Sequence, residues 1–140
     1  MIQVAGTHLQ AGKKNSLIRS SQLSQVKNLF KSASNPDLPL IYVGDMNIDA
    51  LKGDEYNDAL KFLGMTSTGL EGPLNYTGGY PIECYRKPGA DSKKWIDHVW
   101  TKPGTGVTIS SLKVRPYLGM IEEKECPLSD HYAVEAILSI

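Results

Sequence analysis

The spacing of apolar residues predicts a chain in which strands alternate with two helices. At the start, Ile2 and Val4 alternate with smaller or polar neighbours, which is the two-residue period of a strand. The first helix is predicted from Ser16 to Ala33, where apolar residues recur at helical spacing: Ile18, Leu23, Val26, Leu29 and Phe30. It should end before Pro36, because the residue preceding a proline avoids the helical conformation.

The remaining apolar segments predict a second helix and four more strands. Leu38 to Val43 is a short, nearly continuous apolar run, typical of a strand covered on both faces. Asp54 to Leu63 predicts a helix with Gly64 as its C-cap. This order of elements indicates an α/β protein with a mixed sheet and helices on at least one face. The other strands are predicted over Trp95–Thr101, Val107–Val114 and His131–Ile140.

The segment 65–94 shows little periodicity and is rich in Gly, Pro, Ser and Thr. Irregular stretches of this length within a compact domain are usually functional or mobile. We therefore expect a loop on the substrate side of the protein.

Length and charge narrow the classes of protein to consider. The 140 residues suit one domain, and 41% hydrophobic with 21% charged residues permit a buried core. Fifteen Lys and Arg balance fifteen Asp and Glu, so the net charge is zero. Proteins that bind nucleic acid usually carry net basic charge, so a nucleic-acid partner is disfavoured.

The two cysteines, Cys84 and Cys126, belong to no C-x-x-C pair, which argues against a zinc or redox site. A disulfide between them and two separate, partly buried thiols both remain open, because spacing alone cannot show that their Cα atoms approach closely enough.

Every histidine lies in or beside the end of a predicted strand. Any one of His8, His98 and His131 alone would be better explained as a structural histidine. Together with Asp45 and Asn47, which follow an apolar strand, they place a base, carboxylates and a carboxamide at neighbouring strand ends. Metal-assisted hydrolysis of a phosphate ester needs these groups: a base near neutral pH, a carboxylate to orient it and oxygen ligands for a hard cation.

Four motifs, in this order along the chain, resemble those of the endonuclease/exonuclease/phosphatase superfamily. They are GTHLQA at 6–11, GDMN at 44–47, IDHV at 96–99 and SDHYAVEA at 129–136. Within the superfamily the chain is most similar to neutral sphingomyelinases, the secreted bacterial enzymes especially. Arg19 and Gln22 also match that subgroup, and the resemblance covers nearly the whole chain.

The resemblance implies a Mg²⁺-dependent phosphodiesterase that works through an activated water. It gives His131 the role of general base, with Asp97 orienting its imidazole. Asp45 and Asn47 would position the nucleophile and a phosphate oxygen, and His8 would bind substrate and stabilise the transition state or the leaving oxygen. His98 neighbours Asp97 on a strand, so we expect it to face the other way and to pack structurally.

The implied fold is the DNase-I-like sandwich of two sheets with helices outside, of which residues 1–140 would form one layer. Because the superfamily's domain is much longer, we expect 1–140 to be its carboxyl-terminal half, with the amino-terminal half absent. Asp130 would then bind the metal, the principal Glu ligand would be missing, and the isolated chain would be inactive.

The implied substrate is sphingomyelin, cleaved to ceramide and phosphocholine at a membrane surface, and the resemblance favours an extracellular or membrane-peripheral protein. Leu118, Met120 and Ile121 would either enter the bilayer in part or pack in the core. A nuclease or inositol-phosphate phosphatase of the same superfamily is one alternative. A non-catalytic binding fragment is another, in which dimerisation, or pairing with the missing half, would cover an apolar sheet face.

Overall fold

The computed structural model describes residues 1–79 and 93–140, and a three-stranded sheet lies at its centre. Strand β1 (Gln3–His8) pairs in parallel with β2 (Leu40–Asp45), and β2 pairs antiparallel with β3 (Asp97–Thr101). Helix α1 (Ser16–Ala33) connects β1 to β2, and α2 (Asp54–Leu63) follows β2. The predicted α/β class with a mixed sheet is confirmed.

One face of the sheet packs against both helices. Tyr42 of β2 lies at the centre of this core, with its ring 5.3 Å from that of Phe30 and 5.8 Å from that of Trp100, both edge to face. The buried residues of this cluster come from the sheet, the helices and the segments that join them: Leu9, Leu23, Leu40, Tyr42, Met46, Ile48, Ala59, Met65 and Trp100.

Helix α1 has the predicted bounds and packs against the core through Leu23, Val26 and Phe30, three of the five residues of the predicted apolar stripe. The other two residues of the stripe, Ile18 and Leu29, are exposed. The fully buried positions of the helix are Leu23, which belongs to the stripe, and Arg19, which does not. Arg19 can be buried because Glu55 and backbone carbonyls satisfy its guanidinium.

The opposite face of the sheet packs against a second pair of strands. Strands β4 (Thr108–Arg115) and β7 (Ala133–Ser139) pair antiparallel. Ile41 and Val99 of the central sheet pack against Leu112 of β4, which is fully buried. Alternate residues of β2 therefore point into two different cores, one on each face of the sheet, as the nearly continuous apolar run predicts.

A short hairpin not predicted from the sequence precedes the last motif. Strand β5 (Leu118–Ile121) pairs with β6 (Lys124–Pro127), and the turn places Glu122 and Glu123 at positive φ. Leu118 and Met120 are exposed, so core packing is wrong for these two side chains. Their insertion into a bilayer stays a prediction. Among the described residues, no helix is long and apolar enough to cross a membrane.

Only part of the predicted 65–94 loop is described. Thr66 forms a bridge with Thr101, at the end of β3 opposite to Asp97. Gly78 forms bridges with Lys94 and His131, so this part of the loop contacts the end of the sheet that carries the histidine motifs. Cys126 is buried. Cys84 lies outside the described residues, so a disulfide between the two cysteines stays a prediction.

Candidate active site

The register of the central sheet places three of the predicted site residues in one row. His8 is opposite Asp45 in the parallel pair, and Asp45 is opposite Asp97 in the antiparallel pair. Residues at paired positions point to the same side of a sheet. The row therefore lies across the carboxyl ends of β1 and β2, where ligands gather in open α/β sheets.

His131 reaches this row from the chain segment before β7. Its Nδ1 lies 2.8 Å from Asp97 Oδ2, and its Nε2 lies 3.9 Å from Asp45 Oδ2. The backbone holds it there, because Gly78 bridges to His131 and the amide of Tyr132 donates to the carbonyl of Thr77 at 2.8 Å. With Nδ1–H donated to Asp97, the lone pair of the neutral imidazole lies on Nε2.

His8 and Asn47 complete the group around Asp45. His8 Nε2 lies 3.3 Å from Asp45 Oδ2, and the His8 side chain is exposed. Asn47 has a φ of 50°, a left-handed conformation that asparagine tolerates. Its backbone N–H donates to Asp45 Oδ1 at 2.8 Å and its Nδ2 donates to the Leu9 carbonyl at 2.9 Å, so Asn47 ties the ends of β1 and β2 together.

Burial and neighbouring charges change the acidity of these groups. The pKa of His131 is raised, chiefly by its hydrogen bond to Asp97, which stabilises the imidazolium. The pKa of Asp45 is raised mainly because burial disfavours its charge. His98 points into the core between the sheet and the helices, where burial lowers its pKa to about 4. It stacks on Trp100, and its Nε2 lies 2.8 Å from the Ile48 carbonyl, the structural packing expected of it.

Two residues that the sequence did not single out position the site. Thr77 is fully buried, and its Oγ1 accepts hydrogen bonds from the backbone N–H groups of Ile96 at 3.2 Å and Asp97 at 3.1 Å. Gly44 has a φ of 135°, and a Cβ there would lie 1.9 Å from the Thr7 carbonyl oxygen. An isolated threonine in a loop carries no sequence signal, whereas a glycine directly before Asp45 could have indicated close backbone approach.

The same residues fit a divalent cation. One ligand atom from each of Asp45, Asp97 and His131 lies within 4.8 Å of the others. Hard cations such as Mg²⁺ take carboxylate oxygens and complete their shell with water and substrate oxygens. A cation here would also offset the electrostatic repulsion between the neighbouring carboxylates of Asp45 and Asp97. Asp130 is exposed and lies outside this group, so its role as a metal ligand stays a prediction.

Comparison with known proteins identifies the fold. No family model and no curated protein matches the sequence. Sphingomyelinase C from Streptomyces griseocarneus matches in structure with a TM-score of 0.73 and 22% identity, over 96% of this chain and 52% of that chain. Beta toxin from Staphylococcus aureus, a double mutant with bound magnesium ions, matches with a TM-score of 0.70 and 20% identity, over 96% and 52%.

A third solved structure belongs to an endonuclease/exonuclease/phosphatase family protein from Bacteroides thetaiotaomicron. Its TM-score is 0.62 at 17% identity, over 96% of this chain and 48% of that chain. The chain shares the fold of these proteins. The predicted likeness to the superfamily and to sphingomyelinases is thus confirmed at the level of the fold, and the DNase-I-like arrangement with it. The chain spans about half the length of the structures it matches. That it is the carboxyl-terminal half of a domain stays a prediction.

Proposed function

We propose that this site hydrolyses a phosphate ester, with His131 as the general base. The observation that carries the proposal is the 2.8 Å hydrogen bond from His131 to Asp97, next to the carboxylate of Asp45. A histidine held by a carboxylate through Nδ1 presents Nε2 as the base and is stabilised as an imidazolium once it takes a proton.

Each residue then has a role that follows from its position. Nε2 of His131 removes a proton from the attacking water. Asp45 orients that water, and Asn47, held by its bonds to Asp45 and Leu9, presents its carboxamide beside a phosphate oxygen. His8 is exposed at the open end of the row, where it can donate a hydrogen bond to the leaving oxygen.

We also propose that the site uses a divalent cation, Mg²⁺ first among them. Asp45 and Asp97 would hold it. When bound, the cation would supply Lewis-acid stabilisation of the charge that develops on the phosphate oxygens.

Sphingomyelin at a membrane surface is the first substrate to test, because sphingomyelinase C shares the fold. The exposed side chains of Tyr117, Leu118 and Met120 on the hairpin offer an apolar contact with lipid. An extracellular or membrane-peripheral location would suit this substrate. A nuclease or inositol-phosphate phosphatase would use the same residues, and the net charge of zero argues against the nuclease.

Because residues 1–140 alone are expected to be inactive, the test uses a domain in which they follow the expected amino-terminal half. It measures hydrolysis of bis(p-nitrophenyl) phosphate and of sphingomyelin vesicles with Mg²⁺ or EDTA. Replacing the base by His131→Ala should lower turnover by about 10²-fold or more while the fold persists. Asp97→Asn should also lower it, whereas the exposed control Asp37→Asn should not. Absence of Mg²⁺-dependent hydrolysis, or full turnover by His131→Ala, would contradict the proposal.

A further inference from the structure

A cavity of about 230 Å³ opens next to the proposed catalytic group, with Asn47 in its wall. Three lysines, Lys13, Lys52 and Lys94, line it, and we refer to it as the lysine cavity. Among the described residues, the remaining charged groups around it are Arg19, Asp49 and Glu55. The charge of this cavity therefore depends on which cations are already paired.

The two acidic side chains that line the lysine cavity, Glu55 and Asp49, each form an ion pair with a neighbouring cation. Glu55 accepts from Arg19 Nε and Nη2 at 2.7 Å each, and the third nitrogen of that guanidinium donates to backbone carbonyls. Asp49 pairs with Lys52 through Oδ2, and its Oδ1 accepts from the backbone N–H of Trp95 at 3.2 Å. These two pairs contribute no net charge.

Lys13 and Lys94 are the two lysines of the cavity that are left after these ion pairs are counted. Within residues 1–79 and 93–140, neither ammonium forms a salt bridge or a side-chain hydrogen bond. Two unpaired cations facing one cavity repel each other, and an anion placed between them relieves that repulsion. Counted over the part of the chain that the structure describes, the lysine cavity thus carries two positive charges without an acidic partner, although the whole chain is neutral.

The backbone fixes Lys94 relative to the catalytic residues. Its N–H and carbonyl bond to Gly78 at 3.0 and 3.1 Å, and Gly78 also bridges to His131. On the other side, Asn47 contacts both Asp45 and the lysine cavity. A ligand whose reacting phosphate sits at Asp45 and Asn47 would therefore extend a neighbouring group towards Lys13 and Lys94.

From this juxtaposition we infer that the lysine cavity binds a second oxyanion of the substrate, a phosphate or similar group beside the one hydrolysed. The inference rests on the proposed hydrolysis of a phosphate ester and revises the substrate suggested there by the shared fold, because it ranks substrates with two anionic groups above those with one. Phosphate oxygens match ammonium donors in charge and geometry. The quaternary ammonium of a choline head group would meet two like charges there, so the lysine cavity ranks sphingomyelin below a bis-phosphorylated substrate.

Binding can be measured without catalysis, so that its failure is distinct from failure of the proposed function. Amide NMR spectra of the full chain in EDTA are titrated with pyrophosphate. We expect saturable shifts at Lys13 and Lys94 that weaken with added salt. The neutral double variant Lys13→Gln/Lys94→Gln should weaken pyrophosphate binding by about tenfold or more. The control Lys14→Gln/Lys31→Gln makes the same change in net charge at lysines outside the cavity and should leave it within about twofold.

Equal loss in both double variants, no saturable shift with pyrophosphate, or equal affinity for phosphocholine would overturn the inference. The source of the second oxyanion is distinguished by competition, with thymidine 3′,5′-bisphosphate as the nucleotide and inositol 1,4-bisphosphate as the polyol head group. Displacement of pyrophosphate by either supports the inference and identifies the source, and displacement by neither contradicts it. Hydrolysis that persists without pyrophosphate binding would leave the catalytic proposal standing and reject this one.

Discussion

Replacing Asp97 by asparagine tests the central contact of the site with little change in shape. Asparagine keeps an oxygen that can accept from His131 Nδ1, so the variant removes mainly the negative charge. In the native chain that hydrogen bond is the largest cause of the raised His131 pKa. A raised pKa means that His131 becomes neutral, and able to act as a base, only at a pH above its ordinary titration range.

The size of the effect follows from the burial of the pair. A hydrogen bond to a charged group contributes about 1.5–3 kcal/mol, and one pKa unit corresponds to about 1.4 kcal/mol. The side chains of His131 and Asp97 are 30% and 21% exposed, so solvent screens part of this interaction. Burial and Asp45 continue to act on the imidazole in the variant. We therefore expect Asp97→Asn to lower the titration midpoint of His131 by about one pH unit.

The assay is NMR titration of the imidazole C–H resonances in metal-free buffer. Asp130→Asn is the matched control, because Asp130 is exposed and is the weakest of the charges that act on His131. It should shift the midpoint far less than Asp97→Asn does. In activity measurements, the acid limb of the kcat/KM profile should move to lower pH with the His131 midpoint, while kcat falls. An unchanged midpoint in Asp97→Asn would refute the assignment of Asp97 as the partner of His131.

Three further predictions concern the support of the site. Gly44→Ala should cost about 3 kcal/mol or more of folding free energy, seen as a large fall in Tm, because its Cβ would overlap the carbonyl of Thr7, whereas Gly6→Ala has room and should change Tm little. Thr77→Val should cost about 1–3 kcal/mol in urea unfolding, because two backbone N–H groups lose their acceptor, and Thr77→Ser should restore the loss. The pKa of His131 is raised in the folded state, so protonated His131 stabilises the fold, and this stabilisation is fully present below pH 6.5. It is lost as the pH rises through the folded-state pKa, so the measured free energy of unfolding should fall over that range. The fall should be smaller in Asp97→Asn, because the largest cause of the raised pKa is weakened.

Local sequence signals were sufficient to predict where both helices end. Helix α1 ends three residues before Pro36, and α2 ends at Leu63 because Gly64 adopts the left-handed conformation that terminates a helix. The hairpin β5–β6 could not be predicted in the same way, because its strands have four residues each and are stabilised by each other.

The sequence by itself determined the fold class and the types of residue that meet at the strand ends. The nearly continuous apolar run of β2 predicted a strand covered on both faces, so Asp45 was placed at the end of a buried strand. Ordered motifs around His8, Asp97 and His131 then indicated phosphate-ester chemistry.

Tertiary structure alone decided which of these groups touch. His131 and Asp97 are 34 positions apart, and their contact requires the segment at Thr77 and Gly78 to dock between them. The burial of Arg19 likewise depends on Glu55, which is supplied by the other helix. Such pairings are set by the packing of distant segments and by strand register, and no local pattern encodes either one.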